Sequence, residues 1–145
     1  MANQQHIRDV MTPNPQCVTE TDSLRDVARI MKDQDTGVVP VVDGKKIIGL
    51  VTDRDIVVRC IAEGKNPLEA KVNDVMTKSV RKVKEDATVN DVIGLMSSSE
   101  IRRVPVVNHN DELVGIVSMG DIAVEANNGK VGQAMESISQ APPNN

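Results

Sequence analysis

Two short segments carry the side chains best suited to chemistry. Thr52-Asp53-Arg54-Asp55 and Ser118-Met119-Gly120-Asp121 both read hydroxyl, two residues, carboxylate, and each follows an apolar β-branched run. Where a strand hands over to a helix, a carboxylate can accept hydrogen bonds from both hydroxyls of a ribose. The neighbouring hydroxyl can donate to a phosphate, helped by the positive helix N-terminus. The same spacing is also a capping box, in which the two side chains satisfy the first N–H groups of the helix itself. Residue types and spacing leave both readings open.

Other chemistries find little support. Gly115-Ile116-Val117-Ser118-Met119-Gly120 is not the G-x-S-x-G elbow of a hydrolase, and Gly64-Lys65 lacks the context of a phosphate loop. His6 in the N-terminal segment and His109 in a turn lack the spacing of a metal pair. Cys17 and Cys60 form neither a C-x-x-C pair nor a zinc set, and they read as reduced thiols. No catalytic residue and no metal site is expected. The chain has 145 residues, a net charge of 17 − 21 = −4, and no Phe, Tyr or Trp. Nucleic-acid partners need a basic face or aromatic stacking platforms, so none is expected. The N-terminus is polar and no apolar run approaches the ~18 residues of a membrane helix. A soluble, cytoplasmic protein without a membrane partner is the reading.

The elements that must position the two segments repeat. Asp9-Val10-Met11-Thr12 returns as Asp74-Val75-Met76-Thr77, an offset of 76 − 11 = 65. Val39-Pro40-Val41-Val42 returns as Val104-Pro105-Val106-Val107 at that offset. After one extra residue in the second turn, Asp55-Ile56 meets Asp121-Ile122 at 121 − 55 = 66. Each copy predicts a short strand (17–19 in the first), then a helix capped by Ser23 or Thr88. A strand holding Pro40 or Pro105 follows, then a turn, a returning strand and a second helix (53–62 in the first). A proline inside a strand predicts an edge or an irregular strand start. The expected fold is mixed α/β, two β-α-β-β-α repeats packed as one pseudo-symmetric body, because neither copy alone buries a large core. The expected boundaries are 8–62 for the first repeat, 63–72 for a linker, 73–126 for the second repeat and 127–145 for a tail. In that tail, 127–129 is a helix stop, 131–139 a short helix and the last residues disordered.

The repeats resemble the cystathionine β-synthase (CBS) domain family. The resemblance rests on Val10-Met11-Thr12, Val39-Pro40-Val41-Val42-Asp43 and Gly49-Leu50-Val51-Thr52-Asp53-Arg54-Asp55-Ile56, with their counterparts in the second copy. It implies a tandem pair, a Bateman module, that dimerises and binds AMP, ADP, ATP or S-adenosylmethionine in clefts between the repeats. It makes Asp55 and Asp121 the ribose carboxylates, with Thr52 and Ser118 beside them. It brings in Thr12 and Gln16 with Thr77 and Arg81 at the segments before the first strands. It adds Gly37, Val38 and Pro40 with Arg102, Arg103 and Pro105 before and in the second strands. No effector domain is recognised, so the resemblance implies a separate effector protein, with energy sensing as the theme. The alternatives are a scaffold with unoccupied clefts and an S-adenosylmethionine sensor.

The two copies are unequal. Gly37-Val38 in the first becomes Arg102-Arg103 in the second. Alternation along a strand sends only one of two adjacent side chains to each face. An arginine there suits phosphate. Lys78, Arg81, Lys82 and Lys84 add positive charge beside it, which favours a phosphorylated nucleotide.

Overall fold

The structure, a computed structural model, describes residues 5–126. The tail features expected over 127–145 lie outside the described residues. The chain divides into two compact units. One is Pro15–Val80; the other joins the chain up to Asn14 to the chain from Arg81 onward.

In the unit Pro15–Val80, helix α1 (Leu24–Gln34) starts at Ser23, whose side chain accepts from the Asp26 N–H at 3.1 Å. Strands β2 (Val38–Asp43) and β3 (Lys46–Thr52) form an antiparallel hairpin, shifted in register between Val41 and Val42. Each edge of the hairpin carries a single bridge, Val18 to Val41 on one side and Thr77 to Leu50 on the other. The strand expected at 17–19 is thus reduced to one residue, and Pro40 closes off its N-terminal side. The Val18 N–H donates to the Pro40 carbonyl (3.0 Å) and the Val42 N–H to the Val18 carbonyl (2.9 Å). Val41 therefore faces Val18, and Pro40 has no N–H to carry the ladder on to the carbonyl of residue 16. The chain then enters α2 (Asp53–Asp55), which continues as a π-helical stretch, Ile56–Ile61. The Ala62 N–H reaches back to the Val57 carbonyl at 2.8 Å, a five-residue step. The helix expected over 53–62 is present but wound wider than an α-helix.

The other unit repeats the plan with two-residue ladders in place of the single bridges that flank the hairpin. Its sheet runs in the order β1 (Thr12–Pro13), β6 (Leu113–Ser118), β5 (Arg103–Val107), β4 (Val83–Lys84), with only β4–β5 parallel. Helix α3 (Val89–Ser99) begins with a complete Thr88–Asp91 capping box, and α4 (Met119–Ala126) follows β6 directly. Both helices α1 and α3 end on left-handed residues, Asp35 and Glu100.

Each unit combines the body of one repeat with the leading segment of the other. Ile7, fully buried, packs with Val89, Val92, Met96, Val104, Val117 and Ile122 from the second copy. Val72, its counterpart at 7 + 65, packs with Val18, Leu24, Val27, Val39 and Val51 from the first. The stretch 63–72, expected as a linker, supplies Ala70 and Val72 to that core. The leading strands come close because of two glycines. A Cβ on Gly49 would stand 2.8 Å from the Thr77 carbonyl oxygen, and one on Gly115 would run into Met11 Sδ.

Candidate functional site

Both hydroxyl–carboxylate pairs stand at the end of the returning strand, and both are capping boxes. Thr52 N–H donates to Asp55 Oδ2 (2.9 Å), and Asp55 N–H donates to Thr52 Oγ1 (3.0 Å). Ser118 N–H donates to Asp121 Oδ2 (2.9 Å), and Asp121 N–H to Ser118 Oγ (3.0 Å). Capping is therefore a realised role of these residues. One carboxylate oxygen in each pair, Oδ1, takes no part in the cap.

At Asp55 that oxygen is engaged. Thr77 Oγ1 lies 3.3 Å from Oδ1 and 3.4 Å from Oδ2, donating to the carboxylate across the bridge that holds its own segment against Leu50. Arg59, one turn on, places Nε 3.7 Å from Oδ1 and donates through Nη1 to the Met76 carbonyl (3.2 Å). Asp55 is 8% exposed. Arg59 is half exposed, so this ion pair adds only a few tenths of a kcal/mol.

Asp121 is more open, being half-buried. Thr12 stands where Thr77 stands in the other unit, on β1 opposite Ile116, and it is exposed. Glu125 occupies the position of Arg59, so the second carboxylate has an acid rather than a guanidinium one turn on.

Around each pair the strand register gathers several of the expected residues. Val38 pairs with Thr52, Pro40 with Leu50, and the Asp53 N–H donates to the Gly37 carbonyl (3.0 Å). In the other unit Arg103 pairs with Ser118, Pro105 with Ile116, and the Met119 N–H donates to the Arg102 carbonyl (2.8 Å). Val38 and Pro40 are buried, while Arg102 and Arg103 are half-buried. Gln16 and Arg81 do not join these groups. Gln16 lines a groove along α1 with Cys17, Asp22, Asp26, Arg29 and Asp33. Arg81 is exposed ahead of β4, the strand farthest from β1. Lys82 of the basic cluster is tied to Asp111 at 3.0 Å.

Arg59 was not among the residues expected here, although its spacing four residues after Asp55 was a legible sign. Asp53 was also missed. Cys17 donates to the Pro15 carbonyl (3.1 Å), and burial pushes its thiol up, so it is held protonated. Among the described residues no group of three His, Cys, Asp or Glu side chains is placed to hold a metal, and no helix is long and apolar enough to cross a membrane.

Two units with one plan, each ending its central hairpin on a capped hydroxyl–carboxylate pair, define a tandem repeat of a single domain type. The CBS domain profile matches residues 7–61 and again 72–127, and the chain belongs to the CBS domain family. It is similar to the uncharacterized protein YlbB of Bacillus subtilis, 43% identical over 137 residues covering 92% of this chain and 91% of that one. A crystal structure of Hypoxic Response Protein I with two coordinated zinc ions has the same fold. Its TM-score is 0.76 and its identity 33%, and the match covers 83% of this chain and 98% of that one. The crystal structure of CBSX2 in complex with AMP matches with a TM-score of 0.75 and 26% identity, covering 86% of this chain and 97% of that one.

Proposed function

We propose that this chain is a non-catalytic regulatory module that binds adenosine-containing ligands of the AMP, ADP and ATP class and signals to a separate effector protein in the cytoplasm. The observation that carries the reading is the duplicated carboxylate at the strand-to-helix junction, with one oxygen outside the cap. The geometry suits a ribose diol, and CBSX2, a structural relative, holds AMP. Aliphatic walls such as Val38 and Pro40 suit an adenine face by dispersion. In a thermal-shift panel, a nucleotide at ~100 times its dissociation constant should add roughly 2.7 kcal/mol. That raises the melting temperature by on the order of 3–6 °C for a chain of this size. Sugars, metals and nucleic acid should leave it unmoved.

The scaffold reading has one observation in its favour. Asp55 already has Thr52, Thr77 and Arg59 as partners. A melting curve unmoved by AMP, ADP, ATP and S-adenosylmethionine at millimolar concentration would decide for it.

A homodimer buried through helices belongs to the same proposal. Val57, Val58 and Ile61 are 55, 42 and 55% exposed on the wide turn after Asp55, and Val124 on α4 is 67% exposed. Apolar side chains grouped on one helix mark an association surface. Sedimentation at micromolar concentration should return twice the 15.7 kDa chain mass; a monomer there removes the dimer.

A further inference from the structure

We propose that Asp53 sets the ligand class of the Asp55 site, by excluding phosphate and admitting an adenosine ligand whose 5′ end is neutral or positively charged. This rests on the adenosine reading above. One backbone bond recurs in both units. Asp53 N–H donates to the Gly37 carbonyl (3.0 Å), and Met119 N–H donates to the Arg102 carbonyl (2.8 Å). Positions 37 and 53 thus occupy the same place in one unit that 102 and 119 occupy in the other. Their contents are opposite in charge. In one unit the second strand approaches with glycine and the helix opens with a carboxylate. In the other the strand brings an arginine and the helix opens with a thioether.

The Asp53 carboxylate has a defined seat. Its Oδ1 accepts from the Arg54 N–H at 2.9 Å. Its Oδ2 lies so close over Gly37 that a Cβ there would stand 2.9 Å away, so position 37 has no room for a side chain while Asp53 keeps this place. A carboxylate on an early N–H group of a helix occupies what an incoming phosphate would use. Arg59, the cation facing Asp55, is directed to Asp55 Oδ1 and the Met76 carbonyl. A phosphate at the Asp55 site therefore meets like charge first. The Asp121 site has an arginine, Arg102, at the position of Gly37 and no acid at position 119.

The test reads the Asp55 site in an Asp121→Asn chain by calorimetric titration with adenosine and with AMP. AMP should bind at least about tenfold more weakly than adenosine, the scale of like-charge repulsion at a few ångströms in a partly solvated site. Asp53→Asn should narrow that ratio to about threefold or less, and Asp53→Met, the residue of the other copy, should do the same. Raising salt from about 0.05 to 0.5 M should narrow it in the Asp121→Asn chain itself, with no further substitution. A ratio that none of these moves, or AMP binding as tightly as adenosine from the outset, overturns this inference and leaves the adenosine reading standing. Binding to the unmutated chain with none to Asp121→Asn does the same. Failure of both ligands on the unmutated chain overturns both.

Discussion

Replacing Ile7 with alanine should lower the unfolding free energy by about 2–5 kcal/mol, the range for deleting a large aliphatic side chain from a packed core. Ile7 sits near the N-terminus, where chains commonly fray. Yet its side chain is fully buried among residues more than eighty positions away, including Val89, Met96 and Ile122. Its N–H donates to the Ala87 carbonyl at 2.7 Å, and the next residue, Arg8, donates to the Glu85 carbonyl at 3.1 Å. The unit has no substitute for that volume, because the leading segment that follows the first repeat, with Val72, is used by the other unit. Arg8→Ala, an exposed change in the same segment, should stay within about 0.5 kcal/mol. The chain has no aromatic residue, so the denaturant transition is followed by far-ultraviolet circular dichroism rather than fluorescence. A loss below about 1 kcal/mol for Ile7→Ala would mean that the leading segment only lies on the unit and does not complete its core.

That exchange of leading segments is where the sequence was least legible. The repeat itself was plain, because Val-Met-Thr, Val-Pro-Val-Val and the hydroxyl–carboxylate pair recur in register. Hydrophobic periodicity and capping signals report local structure, so α1, α3 and the hairpins could be read directly. Which copy a segment packs against is a tertiary choice. A duplicated sequence is ambiguous about it, since Ile7 and Val72 are equivalent by construction. Two glycines held part of the answer. Gly49 and Gly115 lie mid-strand, where glycine weakens pairing, and such a glycine marks a close backbone approach. The partners that approach are Thr77 with Met76 and Met11, each from the other copy. At the candidate site the carboxylates and their caps were legible from spacing. The engagement of Asp55 by Thr77 was not, because it depends on that same exchange. The wide π-helical turn after Asp55 was also hidden, since a five-residue step has no composition of its own.

Asp121→Asn should weaken nucleotide binding at least ~10-fold while the unliganded protein unfolds within about 0.5 kcal/mol of the parent. The two halves of this expectation come from different atoms. Asp121 Oδ2 accepts from the Ser118 N–H at 2.9 Å, and Ser118 Oγ accepts from the Asp121 N–H at 3.0 Å. An asparagine carbonyl can take over the first bond, and the second does not involve the side chain of residue 121. The cap therefore survives the substitution, as asparagine's standing among capping residues implies. What is lost is the negative charge and the second acceptor oxygen. A ribose diol needs two acceptors, and hydrogen bonds to a charged group contribute roughly 1.5–3 kcal/mol. That corresponds to about 10- to 150-fold in dissociation constant. Asp55→Asn is expected to behave differently on the stability side. Its Oδ1 faces the Thr77 hydroxyl at 3.3 Å and Arg59 Nε at 3.7 Å. An amide placed there loses the ion pair and, with its N–H₂ on that side, faces the Arg59 donor, while the Thr77 hydroxyl must turn from donor to acceptor. Calorimetric titration of each variant with AMP and ATP, beside denaturant curves without ligand, separates the two roles. Unchanged affinity in Asp121→Asn together with a destabilised unliganded fold would make this carboxylate a helix cap and nothing more.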